Sequence, residues 1–558
     1  MVARRASEIV KISMMKKVFK NKSARRAAGA LFSICMFAGS HFTYAQEDLQ
    51  VLNKNWLHFS DAPTSMYRHF STLAFEQLEE RREKVASLES ARDWKERQEG
   101  IKEKFAKVLG SFPEKTPLRP QVTKKVDKAN FTVEHIVYES QPGFYVTSSL
   151  YLPKGKRGKL PAIIYCSGHA PEGYRSDTYQ HVIQNLVNKG FAVFAFDPVG
   201  QGERLEYPAE EAGKSHLGGP TKEHSYPGAQ AFISGRSQAW FMIWDGIRAV
   251  DYLLTRKEID PQRIGITGRS GGGTQASYIA ALDDRIYAAA PENYITSFKR
   301  LIETNGPQDA EQNFLHGIAE GLDHADLLAV RAPKPTLMIT TTRDIFNIQG
   351  ARETFKEVAR IYEAYDKVEH FTMVEDDAAH ASTLKNREAM YAFFQEHLGL
   401  PGNSKDKETI PLTPKELQVT STGQVASAYQ GETVFSLNKK MTASSPVSAE
   451  PKDIVEKAKA LSGYRTPSEQ SQPVMTGRIQ RDGYVIEKYH IKGEGDYIIP
   501  YLLAVPDQSN DQAVLYLHEV GKAAEAGAGG SIETLVKQGF KVMAADLLGI
   551  GEIGRAHV

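Results

Sequence analysis

The sequence predicts an α/β fold, a doubly wound and mostly parallel sheet with helices on both faces, followed by a second, truncated region of the same kind at the C-terminus. Three observations carry this. Short apolar runs, among them Ala162–Tyr165, Phe191–Phe196 and Ile264–Thr267, alternate with helical patterns, as strands buried on both faces of a parallel sheet do. The last of these runs passes directly into Gly268-Arg-Ser270-Gly-Gly272 and then into a helical segment, Thr274–Leu282. Finally, the chain repeats itself: Leu186–Glu203 recurs as Leu535–Glu552, with Gly190-Phe191, Asp197, Gly200 and Gly202-Glu203 matched by Gly539-Phe540, Asp546, Gly549 and Gly551-Glu552.

From the N-terminus, Lys16, Lys17, Arg25 and Arg26 precede the apolar stretch Ala27–Phe37, and Thr43-Tyr-Ala45 offers small residues at cleavage positions. This pattern predicts a signal peptide over residues 1–45, and so a periplasmic or secreted bacterial protein. The apolar stretch is shorter than the roughly 20 residues that span a bilayer. Once Cys35 is removed with the signal, Cys166 is alone, so no internal disulfide is available and core burial must supply stability.

Residues 46–125 form a helical lead-in, because Ser71–Leu109 is rich in Glu, Lys, Arg, Ala and Leu with apolar residues three or four apart. Residues 126–400 form the main α/β domain. Residues 401–450, rich in Ser, Thr, Lys, Gln and Pro, are expected to be a linker. Residues 451–558 start the second copy: Tyr484–Lys488 matches Phe131–His135, and the strand ending at Pro506 matches the one ending at Pro153. The sequence ends soon after Asp546, before any counterpart of Ser270, and a truncated reading frame with a read-through tail is expected over residues 552–558, of which Glu552 is also the last residue matched by the repeat. This copy carries no nucleophile, and an accessory role in glycan binding stays open for it.

The formal net charge is +1, 41% of residues are hydrophobic, and no long run of one charge sign occurs, which excludes the electrostatic footprint of a nucleic-acid binder. No clustered cysteines, paired histidine ligands or phosphate-cradling loop argue for a metal or other cofactor.

The chemistry centres on Ser270. A serine on a sharp strand-to-helix turn sits in strained backbone at a helix N-terminus, and glycines two residues to either side avoid a clash, so Gly268-Arg-Ser270-Gly-Gly272 reads as a nucleophile elbow. The partners should follow as acid and then histidine, each after a strand. Pro335–Asp344 is a buried-strand pattern ending in an acid, and Phe371–His380 is a strand followed by a histidine. His380 is then the general base, and Asp344 orients and stabilises its imidazolium. Glu292, past the strand after the nucleophile helix, is the alternative acid. The oxyanion hole should take one N–H from Gly271 and a second from the loop Cys166–Tyr174, at His169 or Ala170. The long loop Gln201–Ser237, with Arg204, His224 and Tyr226, is placed to contact substrate, as is Arg269. Trp240 and Trp244, four apart, offer either a sugar-stacking face or helix core.

Residues from about 100 to 400 resemble the bacterial acetyl xylan esterase-like branch of the α/β-hydrolases. The resemblance runs through Tyr165–His169, Asp197–Arg204, Glu223–Tyr226, Gly268–Thr274, Gly321–Leu328 and Arg343-Asp344. It implies an eight-stranded sheet, the triad Ser270, Asp344 and His380, and deacylation of plant polysaccharides such as xylan. Glu292 stands where the branch often has a small residue, which keeps it open as the acid. Two other activities fit the same residues: hydrolysis of uronic acid methyl esters of the pectin type, with Arg204 or Arg269 pairing the sugar carboxylate, and a prolyl oligopeptidase-like serine peptidase.

Overall fold

The computed structural model describes residues 49–53, 55–211, 213–443, 450–466 and 471–554. Residues 1–48, where the expected signal peptide and its cleavage position fall, and residues 555–558 lie outside the described residues. Among the described residues, no helix is long and apolar enough to cross a membrane. The chain divides into two compact units, one running Ala74–Ser448, the other built from residues up to Leu73 with those from Ala449 onward.

The larger unit is organised by a nine-stranded sheet in the order β1-β2-β3-β5-β4-β6-β7-β8-β9. Its strands are β1 (Gln121–Asp127), β2 (Phe131–Gln141), β3 (Phe144–Pro153), β4 (Leu160–Cys166), β5 (Ala192–Phe196), β6 (Ile259–Arg269), β7 (Ala288–Glu292), β8 (Thr336–Arg343) and β9 (Phe371–Ala379). From β5 to β9 neighbouring strands are parallel, while β1, β2 and β3 add antiparallel pairs at the other edge. The antiparallel β1 makes the sheet one strand wider than the eight that the family resemblance implies.

Strand alternation explains the two helical layers. On β4, Ile163 and Tyr165 face a core completed by Val182, Ile183, Leu186 and Val187 of the helix Asp177–Lys189 and by Met390 and Phe394 of Leu384–His397. Ala162, Ile164 and Cys166 face the opposite core, with Ala249, Val250 and Leu253 of Gln238–Thr255 and Ala276 and Ile279 of Gly271–Leu282. A strand that buries both faces must be apolar at consecutive positions, which is why the period-two signal is missing from these runs.

Two expectations need correcting. Residues expected as a linker are folded onto the larger unit: Leu412 and Leu417 join one core, and Val434 and Leu437 join another. The strap buries single apolar side chains at irregular spacing, so no helix or strand period marks it. The lead-in is not one piece either: residues up to Leu73 belong with the C-terminal unit, and β1 is already part of the main sheet. Its helix Ala91–Leu109 starts at a capping box between Ser90 and Asp93 and buries Trp94, Ile101, Phe105 and Leu109.

In the C-terminal unit, β10 (Val474–Arg481), β11 (Tyr484–Lys492), β12 (Ile498–Pro506), β13 (Ala513–Tyr516) and β14 (Lys541–Ala545) are ordered β10-β11-β12-β14-β13. This repeats β1-β2-β3-β5-β4. Tyr484 pairs with Pro506 as Phe131 pairs with Pro153, and both outer hairpins carry an irregularity at the corresponding place, Val122/Lys124 and Met475/Gly477.

Two buried histidines of the larger unit make stability pH-dependent. Burial pushes His324 down to about 3 and His135 down to about 4. Both are neutral when folded, whereas the unfolded chain protonates them near 6.5, so the unfolded state binds more protons and stability falls as pH drops from 6.5 toward 4. The expected result is a melting temperature that declines over that window, with a shallower decline in His324→Phe than in the parent. Equal slopes would contradict neutral burial of His324.

Candidate active site

β6 ends at Arg269, and the chain turns at Ser270 into the helix Gly271–Leu282. Ser270 has φ 60° and ψ −127°, a conformation that L residues avoid, and two backbone hydrogen bonds hold it there. Its N–H donates to the Glu292 carbonyl at 3.0 Å, and its own carbonyl accepts the Thr274 N–H at 2.9 Å. The flanking glycines follow from close backbone approach: a Cβ on Gly268 or Gly272 would lie 2.3 or 2.1 Å from the Cys166 carbonyl oxygen of β4. The Ser270 side chain is thereby presented at a helix N-terminus, half-buried.

The loops after β8 and β9 bring Asp344 and His380 together. His380 Nδ1 is 2.7 Å from Asp344 Oδ1, and the Asp344 side chain is almost fully buried while His380 keeps partial access to solvent. Asp344 also accepts from the Thr341 hydroxyl at 3.0 Å and from the Phe346 N–H at 3.1 Å, which fixes its carboxylate plane. Asn293, just after β7, donates to Thr341 Oγ1 at 3.2 Å and to the Ala381 carbonyl at 3.3 Å. It ties the end of β8 to the histidine loop, a role that residue type and position in sequence do not reveal.

Glu292 is buried beneath this arrangement. Burial raises its carboxyl above the ordinary range, with Arg269, the Ser382 hydroxyl, Arg387 and His380 acting against it, and its Oε1 has no hydrogen-bond partner. The partner of His380 Nδ1 is Asp344.

Of the two loop amides expected to face an oxyanion, Ala170 N–H is spent on the Gly168 carbonyl at 2.7 Å. That corrects the expectation for Ala170 and leaves His169 N–H with Gly271 N–H as the candidate pair. The His169 ring lies against Gly271, where a Cβ would sit 2.8 Å from His169 Nε2. The ring cannot swing away freely, because Nε2 is held by Glu311 Oε1 at 2.6 Å. Gly271→Ala is therefore expected to lower kcat by about 10²-fold, the scale of losing one oxyanion donor, with little change in KM. Steady-state kinetics on a soluble aryl ester checks this.

Glu311 lies between two imidazoles. Burial alone would raise its carboxyl, but His224 and His169 hold it well below the usual carboxylate range, and Glu311 in turn keeps His169 raised against the effect of burial. His224 Nδ1 stands 3.0 Å from Glu311 Oε2 at an angle that makes no hydrogen bond, while its Nε2 meets the Val199 carbonyl at 2.8 Å. One ligand atom from each of His169, His224 and Glu311 lies within 4.8 Å of the others, a set with the geometry to hold a cation. Paired as they are, the carboxylate charge is met by imidazole. Glu311 falls outside any sequence motif, and only the fold brings it to His169.

The remaining expected contacts separate clearly. Arg204 is 5% exposed, paired with Asp245 at 2.8 Å and donating to the Asp197 carbonyl at 2.9 Å, so it pins a loop and does not face substrate. His224 is fully buried and serves the Glu311 cluster. Trp240 and Trp244 stack on Phe112 in the core and offer no sugar-binding face. Tyr226 is 56% exposed, edge-on to Tyr207, and Arg269 lies over the Tyr179 ring with its Nε buried and without a hydrogen-bond partner. A cleft of about 830 Å³ opens beside this region, lined by residues such as Pro171, Arg175, Glu203 and Gln418, and not by Ser270, Asp344 or His380.

The strand order and the placement of Ser270 where β6 becomes a helix make this chain an α/β-hydrolase. The model of the acetyl xylan esterase family matches residues 97–317, and that of the prolyl oligopeptidase family matches residues 242–401. The chain is 24% identical over 309 residues to "Putative hydrolase YtaP" of Bacillus subtilis (strain 168), covering 52% of this chain and 97% of that protein. Among solved structures it is similar to methylesterase BT1017, at 24% identity and a TM-score of 0.48, covering 63% of this chain and 76% of that one. It is also similar to a glucuronoyl esterase from Solibacter usitatus, at 15% identity and a TM-score of 0.43, covering 55% and 94%. The chain is a hydrolase of the carboxylic ester type, and its residues 97–317 are similar to the acetyl xylan esterase family.

Proposed function

We propose that this protein is an exported serine esterase that removes acetyl groups from xylan or related plant polysaccharides through a Ser270, His380 and Asp344 triad. The observation that carries the reading is the strained Ser270 at the head of the helix Gly271–Leu282 in a chain whose later strands deliver a bonded His380–Asp344 pair. In the proposed sequence His380 takes the Ser270 proton as Oγ attacks the ester carbonyl, and the oxyanion meets Gly271 and His169 N–H groups at a helix N-terminus. His380 returns the proton to the departing sugar hydroxyl. Water activated by His380 then attacks the acetyl-enzyme, releasing acetate and restoring Ser270. The basic and apolar N-terminal segment supports export to the periplasm or beyond.

Arg269 favours a second reading, hydrolysis of methyl esters on uronic acids: it adjoins the nucleophile and keeps a buried Nε without a hydrogen-bond partner. Parallel assays of acetate and methanol release from acetylated xylan and methyl-esterified pectin, with Ser270→Ala as the blank, separate the two. Acetate without methanol supports deacetylation, methanol moves the assignment to uronate esters, and neither product from either polymer overturns both.

A further inference from the structure

The carboxylate that follows each repeated aspartate holds a short peptide segment, and the two segments resemble each other. In the larger unit, Glu203 Oε1 accepts the Val419 N–H at 2.7 Å, and Oε2 accepts the Thr420 N–H at 2.7 Å. In the C-terminal unit, Glu552 Oε1 accepts the Val51 N–H at 2.7 Å, and Oε2 accepts the Leu52 N–H at 2.6 Å. The segments read Glu416-Leu-Gln-Val-Thr420 and Asp48-Leu-Gln-Val-Leu52. In each, the leucine and valine are buried: Leu417 and Val419 in one, Leu49 and Val51 in the other.

The sockets match as closely. Arg175 bonds both Asp197, at 2.6 Å, and Glu203, at 3.0 Å, and Lys522 bonds both Asp546, at 2.7 Å, and Glu552. The Glu203 N–H donates to Asp197 Oδ2 and the Glu552 N–H to Asp546 Oδ2. A cation thus neutralises the buried acid pair, and each glutamate turns both oxygens to two successive amides, a fit that reads backbone spacing together with the leucine and valine between the polar positions.

Chain order gives the arrangement its meaning. Beyond each segment lies a helix closed by a glycine, Ala91–Leu109 with Gly110 and Pro451–Ser462 with Gly463, and then the hairpins β1-β2-β3 and β10-β11-β12. The duplication therefore includes the segment at its head, and each head segment sits in the socket of the other repeat. We propose that these are two copies of one clip-and-socket interface, whose ligand is a short acidic-Leu-Gln-Val-x peptide, and that the two clips are interchangeable. On the larger unit the clip also braces the site. Gln424 donates to the Gly202 carbonyl at 2.8 Å and the Val425 N–H to that of Glu203 at 2.8 Å, while Gln201, in the same loop, donates to the Gly168 and Ala170 carbonyls of the oxyanion loop at 2.7 and 2.9 Å.

The test uses the full chain and reads docking, not ester hydrolysis, so it stands or falls apart from the esterase assignment. Val419→Pro removes one N–H that Glu203 accepts, and Val419→Ala keeps it. Hydrogen exchange at residues 417–425 is expected to speed up at least about tenfold in Val419→Pro and to stay near the parent rate in Val419→Ala. A fluorescent peptide of residues 47–56 and one of residues 414–424 should each bind the Val419→Pro chain saturably, with at least about tenfold weaker binding when Glu203→Gln is added. Should Val419→Pro fail to fold, Thr420→Leu, which converts that clip toward its counterpart, is expected to fold and keep residues 417–425 protected. Unchanged exchange in Val419→Pro, binding of only the 414–424 peptide, indifference to Glu203→Gln, or loss of protection in Thr420→Leu would overturn the proposal.

Discussion

Replacing Ser270 by alanine is expected to lower ester turnover by roughly 10⁴-fold or more while leaving the fold intact, because the triad acts as a unit and fails when its nucleophile is lost. The structure makes the accompanying stability change informative. At φ 60° and ψ −127° the Ser270 backbone carries strain that alanine shares, so Ser270→Ala should unfold at a denaturant midpoint close to the parent. Ser270→Gly removes the Cβ that makes this conformation costly. It should gain about 1 kcal/mol, within the roughly 1–3 kcal/mol typical of such strain. An inactive but stabilised glycine variant is the signature of an elbow held for chemistry. Stability lost in Ser270→Gly would mean that the turn is not strained in solution.

The second large effect separates two acids. Asp344→Asn is expected to lower kcat by roughly 10²–10⁴-fold, since the amide favours the wrong imidazole tautomer and no longer stabilises the imidazolium. Glu292→Gln should stay within about threefold of the parent, because burial already raises the Glu292 carboxyl and His380 Nδ1 is bonded to Asp344 at 2.7 Å. Parallel kinetics on one soluble substrate decide it. A large loss in Glu292→Gln together with near-normal Asp344→Asn would reverse the assignment.

The sequence made the sheet and the elbow legible because both impose local requirements. Consecutive apolar residues mark β4, β5 and β6, and Gly268 and Gly272 are demanded by the carbonyl of Cys166. The repeat was legible to the register of a hairpin, since Tyr484 against Pro506 restates Phe131 against Pro153. What failed depended on distant partners. Arg204 looks like a surface cation in a long loop until Asp245, on the helix Gln238–Thr255, takes its charge. Glu311 and Asn293 acquire roles only when His169 and the His380 loop arrive beside them. The strap after residue 400 buries leucines and valines one at a time, without the period that would betray a regular element.

The most direct test of the central claim is covalent trapping. The purified chain and its Ser270→Ala variant are treated with a fluorophosphonate, which phosphonylates activated serines, and analysed by intact mass and peptide mapping. A single adduct is expected on the peptide carrying Ser270, its formation slowed strongly in His380→Ala and absent in Ser270→Ala. A parent chain that hydrolyses esters yet takes no adduct at Ser270, or takes it equally well without His380, would contradict it.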